Sequence, residues 1–73
     1  MPRKQSRESI FPRLQSVINR KGLSMTYISD ASGIEIHNLE NKLYGKYEIK
    51  LWEAIAIKEA VMSDLPLEEL FSV

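Results

Sequence analysis

Four closely spaced residues of this chain, Ile36, His37, Glu40 and Asn41, carry side-chain types that can recognise the edges of nucleic-acid bases. An imidazole donates to N7 or O6 of guanine, and an asparagine amide makes two bonds to adenine. A carboxylate accepts from N4 of cytosine, and an isoleucine packs on the methyl group of thymine. Each has a plainer use as well. A histidine or an asparagine on a helix surface is simply solvated, a lone glutamate pairs with a neighbouring lysine, and an isoleucine belongs to a local core or an interface. Covalent chemistry has less to work with. The chain has no cysteine and a single histidine, and it shows no nucleophile beside a base, no glycine-rich phosphate loop and no metal-ligand cluster. An enzyme, a structural zinc site or a bound cofactor is therefore not expected. The acidic pair Glu68-Glu69 reads as a solvated face.

The elements that must position these residues follow from the spacing of apolar positions. A basic arm without periodicity covers residues 1–8, and a single domain covers 9–73. The first helix begins between Ser9, a candidate cap, and Pro12, which a first turn tolerates. Phe11, Leu14, Val17 and Ile18 recur at helical spacing as its core face. Arg20-Lys21-Gly22 ends it, with cations near the negative pole and a glycine for the left-handed cap.

Ser24 caps a second helix over Met25–Ser32, whose buried side is read as Tyr27, Ile28 and Ala31, with Met25 as a gap-filling side chain. Gly33 supplies the positive φ of a tight turn and Ile34 plugs the core. A third helix runs from Ile36 to Tyr44, anchored by Leu39 and Leu43. Glu35 is a poor capping residue, although its charge suits a helix N-terminus. Residues Tyr47 to Leu51 alternate apolar and polar, which permits a short strand. An extended loop fits better, because Leu51, Ile55, Lys58 and Val61 or Met62 continue at helical spacing and predict a fourth helix over Leu51–Val61. Trp52 at its start suits the core and a dimer contact equally well. Pro66 opens a last short helix with Leu67, Leu70 and Phe71 on its apolar side. The fold class is thus all-α, with five helices.

Seventy-three residues make one small domain, and its core is small enough that dimerisation would add useful burial. No apolar run approaches the length of a membrane span, and the basic start lacks the apolar run of a signal peptide, so a cytoplasmic protein is expected. The net charge is zero, but it is sorted along the chain: +5 over residues 1–22, −1 over 23–50 and −4 over 51–73. A neutral chain so polarised can still turn a basic face to phosphates.

The order Lys21-Gly22-Leu23-Ser24, Ile28-Ser29, Gly33-Ile34, Leu39 and Lys42-Leu43-Tyr44-Gly45-Lys46, closed by Leu67-Glu68-Glu69-Leu70-Phe71, resembles the Cro and lambda-repressor-like (XRE-type) helix-turn-helix family. The likeness is strongest to small repressor-like proteins of phages and mobile elements. It covers roughly Leu14 to Phe71, with the helix-turn-helix at about 24–45. The resemblance implies a five-helix lambda-repressor-like domain that binds double-stranded DNA, often as a homodimer, and regulates transcription. It implies that Ile36, His37, Glu40 and Asn41 read bases. It further implies that Ser24, Met25, Thr26, Lys42, Tyr44, Lys46 and Tyr47 meet the backbone or flank the site, and Arg3, Lys4 and Arg7 would follow a groove as an arm. A rival reading keeps the fold without the DNA. Glu35, Glu40 and Ile36 on the reading face, together with the neutral charge, would suit an antitoxin-like adaptor that binds another protein.

Overall fold

The computed structural model describes residues 9–73, and the basic arm that holds Arg3, Lys4 and Arg7 lies outside them. The described residues form five helices and no strand: α1 (Pro12–Lys21), α2 (Met25–Ser32), α3 (Ile36–Leu43), α4 (Leu51–Val61) and α5 (Leu67–Leu70). The alternating stretch before α4 is a loop, as its continuation into helical spacing required.

Each boundary has a local cause. Pro12 opens α1, while Ser9 stands two residues before the cap position. Its hydroxyl accepts the N–H of Phe11 at 2.9 Å, and Phe11 itself is the N-cap residue. Gly22 closes α1 at φ 67°. The hydroxyl of Ser24 accepts the N–H of Tyr27 at 3.0 Å and starts α2. Gly33 stops α2 at φ 76°, a left-handed conformation that costs a residue with a Cβ about 1–2 kcal/mol. Glu35 caps α3 after all, its carboxylate accepting the N–H of Asn38 at 3.1 Å. The third helix ends one residue early, at Leu43, with Tyr44 as its C-cap. Pro66 stands just before α5 rather than within it.

The core is one cluster drawn from every helix: Leu14, Val17 and Ile18 of α1, Ile28 of α2, Leu39 and Leu43 of α3, Ile57, Ala60 and Val61 of α4, and Leu70 of α5, with Ile34 of the turn plugged among them. Helix α4 packs chiefly on α2. Phe11 meets Phe71 edge to face, with ring centroids 5.2 Å apart, and joins the two ends of the described chain. Lys21 reaches the end of α4 and donates to the carbonyls of Val61 (2.9 Å) and Met62 (2.7 Å), groups that a helix terminus leaves without partners.

Two helices turn a different face inward from the one their apolar residues suggest. In α2, Tyr27 and Ala31 are exposed, and the inner side consists of Met25, Ile28, Ser29 and Ser32 at helical spacing. The two serines are inside because the turn needs hydroxyls there. Ser29 donates to the carbonyl of Ile34 at 2.6 Å, and the Ser32 hydroxyl accepts the N–H of Ile34 at 3.3 Å. In α4 the buried residues are Glu53, Ile57, Ala60 and Val61, while Leu51, Trp52, Ile55 and Met62 face outward. Trp52 is therefore not part of the core.

Candidate functional site

Helix α3 buries Leu39 and Leu43 fully. His37 and Asn41 lie away from them, and Ile36 and Glu40, each three residues from one of the leucines, lie along the edge of the buried face. Ile36, His37, Glu40 and Asn41 thus run as a strip from that edge to the outer side. His37 is the most prominent of them, with a side chain 81% exposed and its Nδ1 3.0 Å from Oε2 of Glu35. The other three are half-buried. Glu35 receives hydrogen bonds from the backbone N–H groups of His37 and Asn38 and lies beside the His37 ring, which together hold its carboxyl below its ordinary pKa of 4.5. The negative charge at this end of α3 is thus directed at the helix N-terminus and at His37.

The far end of α3 is wrapped by the following loop. The carbonyl of Asn41 accepts the N–H of Lys46 at 2.8 Å and that of Tyr47 at 3.3 Å, which fixes both residues against the last turn of the helix. Gly45 makes the bend at φ 87°. Lys46 and Tyr47 are exposed, with the Lys46 ammonium 5.9 Å from the centre of the Tyr47 ring. Tyr44 is half-buried beside them. At the start of α2, Ser24 and Thr26 are exposed, while Met25 packs against the core.

Lys42 occupies a different setting. Its side chain is 13% exposed and its ammonium lies 3.3 Å from Oε2 of Glu53, itself 8% exposed. It also donates to the carbonyl of Glu48 at 3.4 Å. Its charge is spent inside the fold, where it ties α3 to α4, and is turned away from the strip.

Two residues with no assigned role in the sequence shape this region. Glu53 accepts the N–H of Lys50 at 2.9 Å through one oxygen and pairs with Lys42 through the other. A carboxylate three residues after a helix cap is the signal that would have found it. Ile10 donates its N–H to the carbonyl of Leu43 at 2.9 Å and lays its side chain over Gly45. Ile10 is thereby held at the C-terminal end of α3, against Gly45.

Among the described residues no group of histidines and carboxylates has the arrangement of a metal site. A depression of about 550 Å3 along α1 is lined by Ser9, Pro12, Gln15, Ser16, Asn19 and Arg20, which offer neither a carboxylate nor an imidazole. No described helix is long and apolar enough to cross a membrane. In comparison with known proteins, the chain matches no family model, no curated protein and no solved structure.

Proposed function

We propose that this chain is a small sequence-specific binder of double-stranded DNA and regulates transcription. In this reading α2 and α3 form a helix-turn-helix within a lambda-repressor-like domain, and α3 lies in the major groove. The observation that carries it is the orientation of α3: two fully buried leucines fix its inner side, His37 and Asn41 face away from them, and Glu40 and Ile36 border them. A helix held so firmly on one side presents its other side at a fixed depth and angle, as groove recognition needs. Lys46, Tyr47 and the exposed start of α2 would hold phosphates and set the register, and the strip would read bases.

A second reading has its own support. With Lys42 committed to Glu53, the cation at the end of the strip is Lys46, and the strip itself carries Glu40. A surface so weakly basic also suits a protein partner. Selection of bound duplexes from a random DNA library at moderate salt separates the two readings. Enrichment of a motif supports DNA recognition. No retained duplex even at low salt, where phosphate attraction is strongest, overturns it in favour of the adaptor.

A further inference from the structure

Three of the four strip residues of α3 have a hydrogen-bonding character fixed by their type. Ile36 has none, a carboxylate such as Glu40 accepts only, and the Asn41 amide both donates and accepts. His37 differs, because a neutral imidazole donates from one nitrogen and accepts at the other, and its surroundings choose which. The choice decides what the ring can recognise. A hydrogen on Nε2 suits N7 or O6 of guanine, whereas a lone pair there suits the amino group of adenine or cytosine.

Glu35 makes that choice. Nδ1 of His37 lies 3.0 Å from Oε2 of Glu35, and Oε1 of the same carboxylate accepts the N–H of Asn38 at 3.1 Å. The capping bond thus fixes the carboxylate at the start of α3 with its second oxygen toward the ring. The bonds that hold its carboxyl below 4.5 keep it ionised near neutral pH, and an ionised carboxylate accepts without donating. The hydrogen of a neutral His37 ring therefore sits on Nδ1. The two neutral tautomers of an imidazole differ little in energy, so one charge-assisted bond is enough to select between them. The side chain is 81% exposed, and none of the described residues bonds Nε2.

We propose that Glu35 is a positioning residue for base reading: it holds His37 with its hydrogen on Nδ1, so that Nε2 enters the groove as an acceptor and meets the amino group of adenine or cytosine instead of guanine. This rests on the DNA reading and narrows it to one contact of stated polarity. Glu35→Gln tests it with almost no change of shape. The glutamine oxygen keeps the N–H of Asn38, which leaves the amide NH2 facing Nδ1. Nδ1 must then accept, the hydrogen moves to Nε2, and the ring becomes a donor suited to guanine.

His37 is the only histidine of the chain, so nitrogen NMR of the full chain follows its two ring nitrogens without ambiguity. Spectra would be taken where the nitrogen shifts show a neutral ring. The expected result is a hydrogen on Nδ1 in the wild type and on Nε2 in Glu35→Gln. Bound duplexes would then be selected from a random library with each chain under the same conditions. At one position the wild-type motif should carry adenine or cytosine where the Glu35→Gln motif carries guanine, a change in preference of about tenfold for a single hydrogen bond. A wild-type ring with its hydrogen on Nε2 overturns the proposal, and that result needs no variant. One tautomer shared by both chains overturns it as well. The expected tautomers with an unchanged motif would remove His37 from base contact and overturn the proposal, while the DNA reading stands. No retained duplex for either chain at low salt would overturn the DNA reading and the base contact with it, whichever tautomer is found.

Discussion

Lys42 and Glu53 form an ion pair of 3.3 Å beneath the surface, joining helix α3 to the N-terminus of α4. Removing one partner strands the other charge where water reaches it poorly, which costs more than the intact pair contributes. Glu53→Gln keeps an oxygen for the Lys50 N–H but loses the charge facing Lys42. It should lower the unfolding free energy by about 2–3 kcal/mol, a large share of the stability of a small domain. Lys42→Met combined with Glu53→Gln should lose less than Glu53→Gln alone. Urea unfolding of Lys42→Met, Glu53→Gln and the double variant decides this, and an additive double variant would mean that the two charges do not depend on each other.

Gly33 and Gly45 share a left-handed backbone but differ in surroundings. A Cβ at Gly33 would meet nothing within 4 Å, whereas one at Gly45 would lie 3.1 Å from Cδ1 and 3.2 Å from Cγ2 of Ile10. Gly33→Ala should therefore cost only the backbone strain, about 1–2 kcal/mol. Gly45→Ala should cost more, and Ile10→Ala should bring its penalty down to that of Gly33→Ala. Equal losses at the two glycines in the presence of Ile10 would show that the Ile10 side chain yields freely.

The two glycine caps, Ser24 and the leucine pair of α3 are why the helices could be placed from sequence: cap chemistry is local, and the bounds of α2 and α4 coincide with expectation. Burial is not local. Tyr27 and Ala31 looked more apolar than Ser29 and Ser32, but the turn at Gly33 draws the serine hydroxyls inward to bond Ile34. In α4 apolar residues occupy both faces, so periodicity could not say which side packs. The inner side includes Glu53, whose burial depends on Lys42 from another helix. The outward placement of His37 was legible because Leu39 and Leu43 orient the helix. The withdrawal of Lys42 was not, since its partner lies eleven residues on in sequence.

Acid should act on the start of α3 through Glu35. Its carboxyl is held below the ordinary value of 4.5 by the N–H groups of His37 and Asn38, helped by the His37 ring. A group with a lowered pKa in the folded state contributes stability above its unfolded value and loses it as pH falls through the folded one. The amide resonance of Asn38 should accordingly titrate with a midpoint below 4.5. Glu35→Gln should abolish that titration and flatten the corresponding part of the acid dependence of unfolding. A midpoint at or above the ordinary value would mean that the cap is open in solution.

Lysines 42 and 46 are four residues apart, and their different settings separate phosphate contact from structural support. Lys46 is exposed at the end of the strip, and Lys42 is enclosed with Glu53. On the DNA reading, Lys46→Ala should weaken binding to all duplexes alike and reduce the slope of log K against log salt by about 0.9. Lys42→Ala should leave that slope unchanged while lowering the unfolding free energy, provided binding is measured where the variant is folded. Asn41→Ala should differ from both, costing about 1–3 kcal/mol on the preferred site and relaxing preference at one base pair. Binding isotherms at several salt concentrations, on the selected duplex and on a scrambled one, distinguish these outcomes. An equal loss on both duplexes for Asn41→Ala would remove it from base reading, and a reduced slope for Lys42→Ala would mean that the Lys42–Glu53 pair opens on DNA.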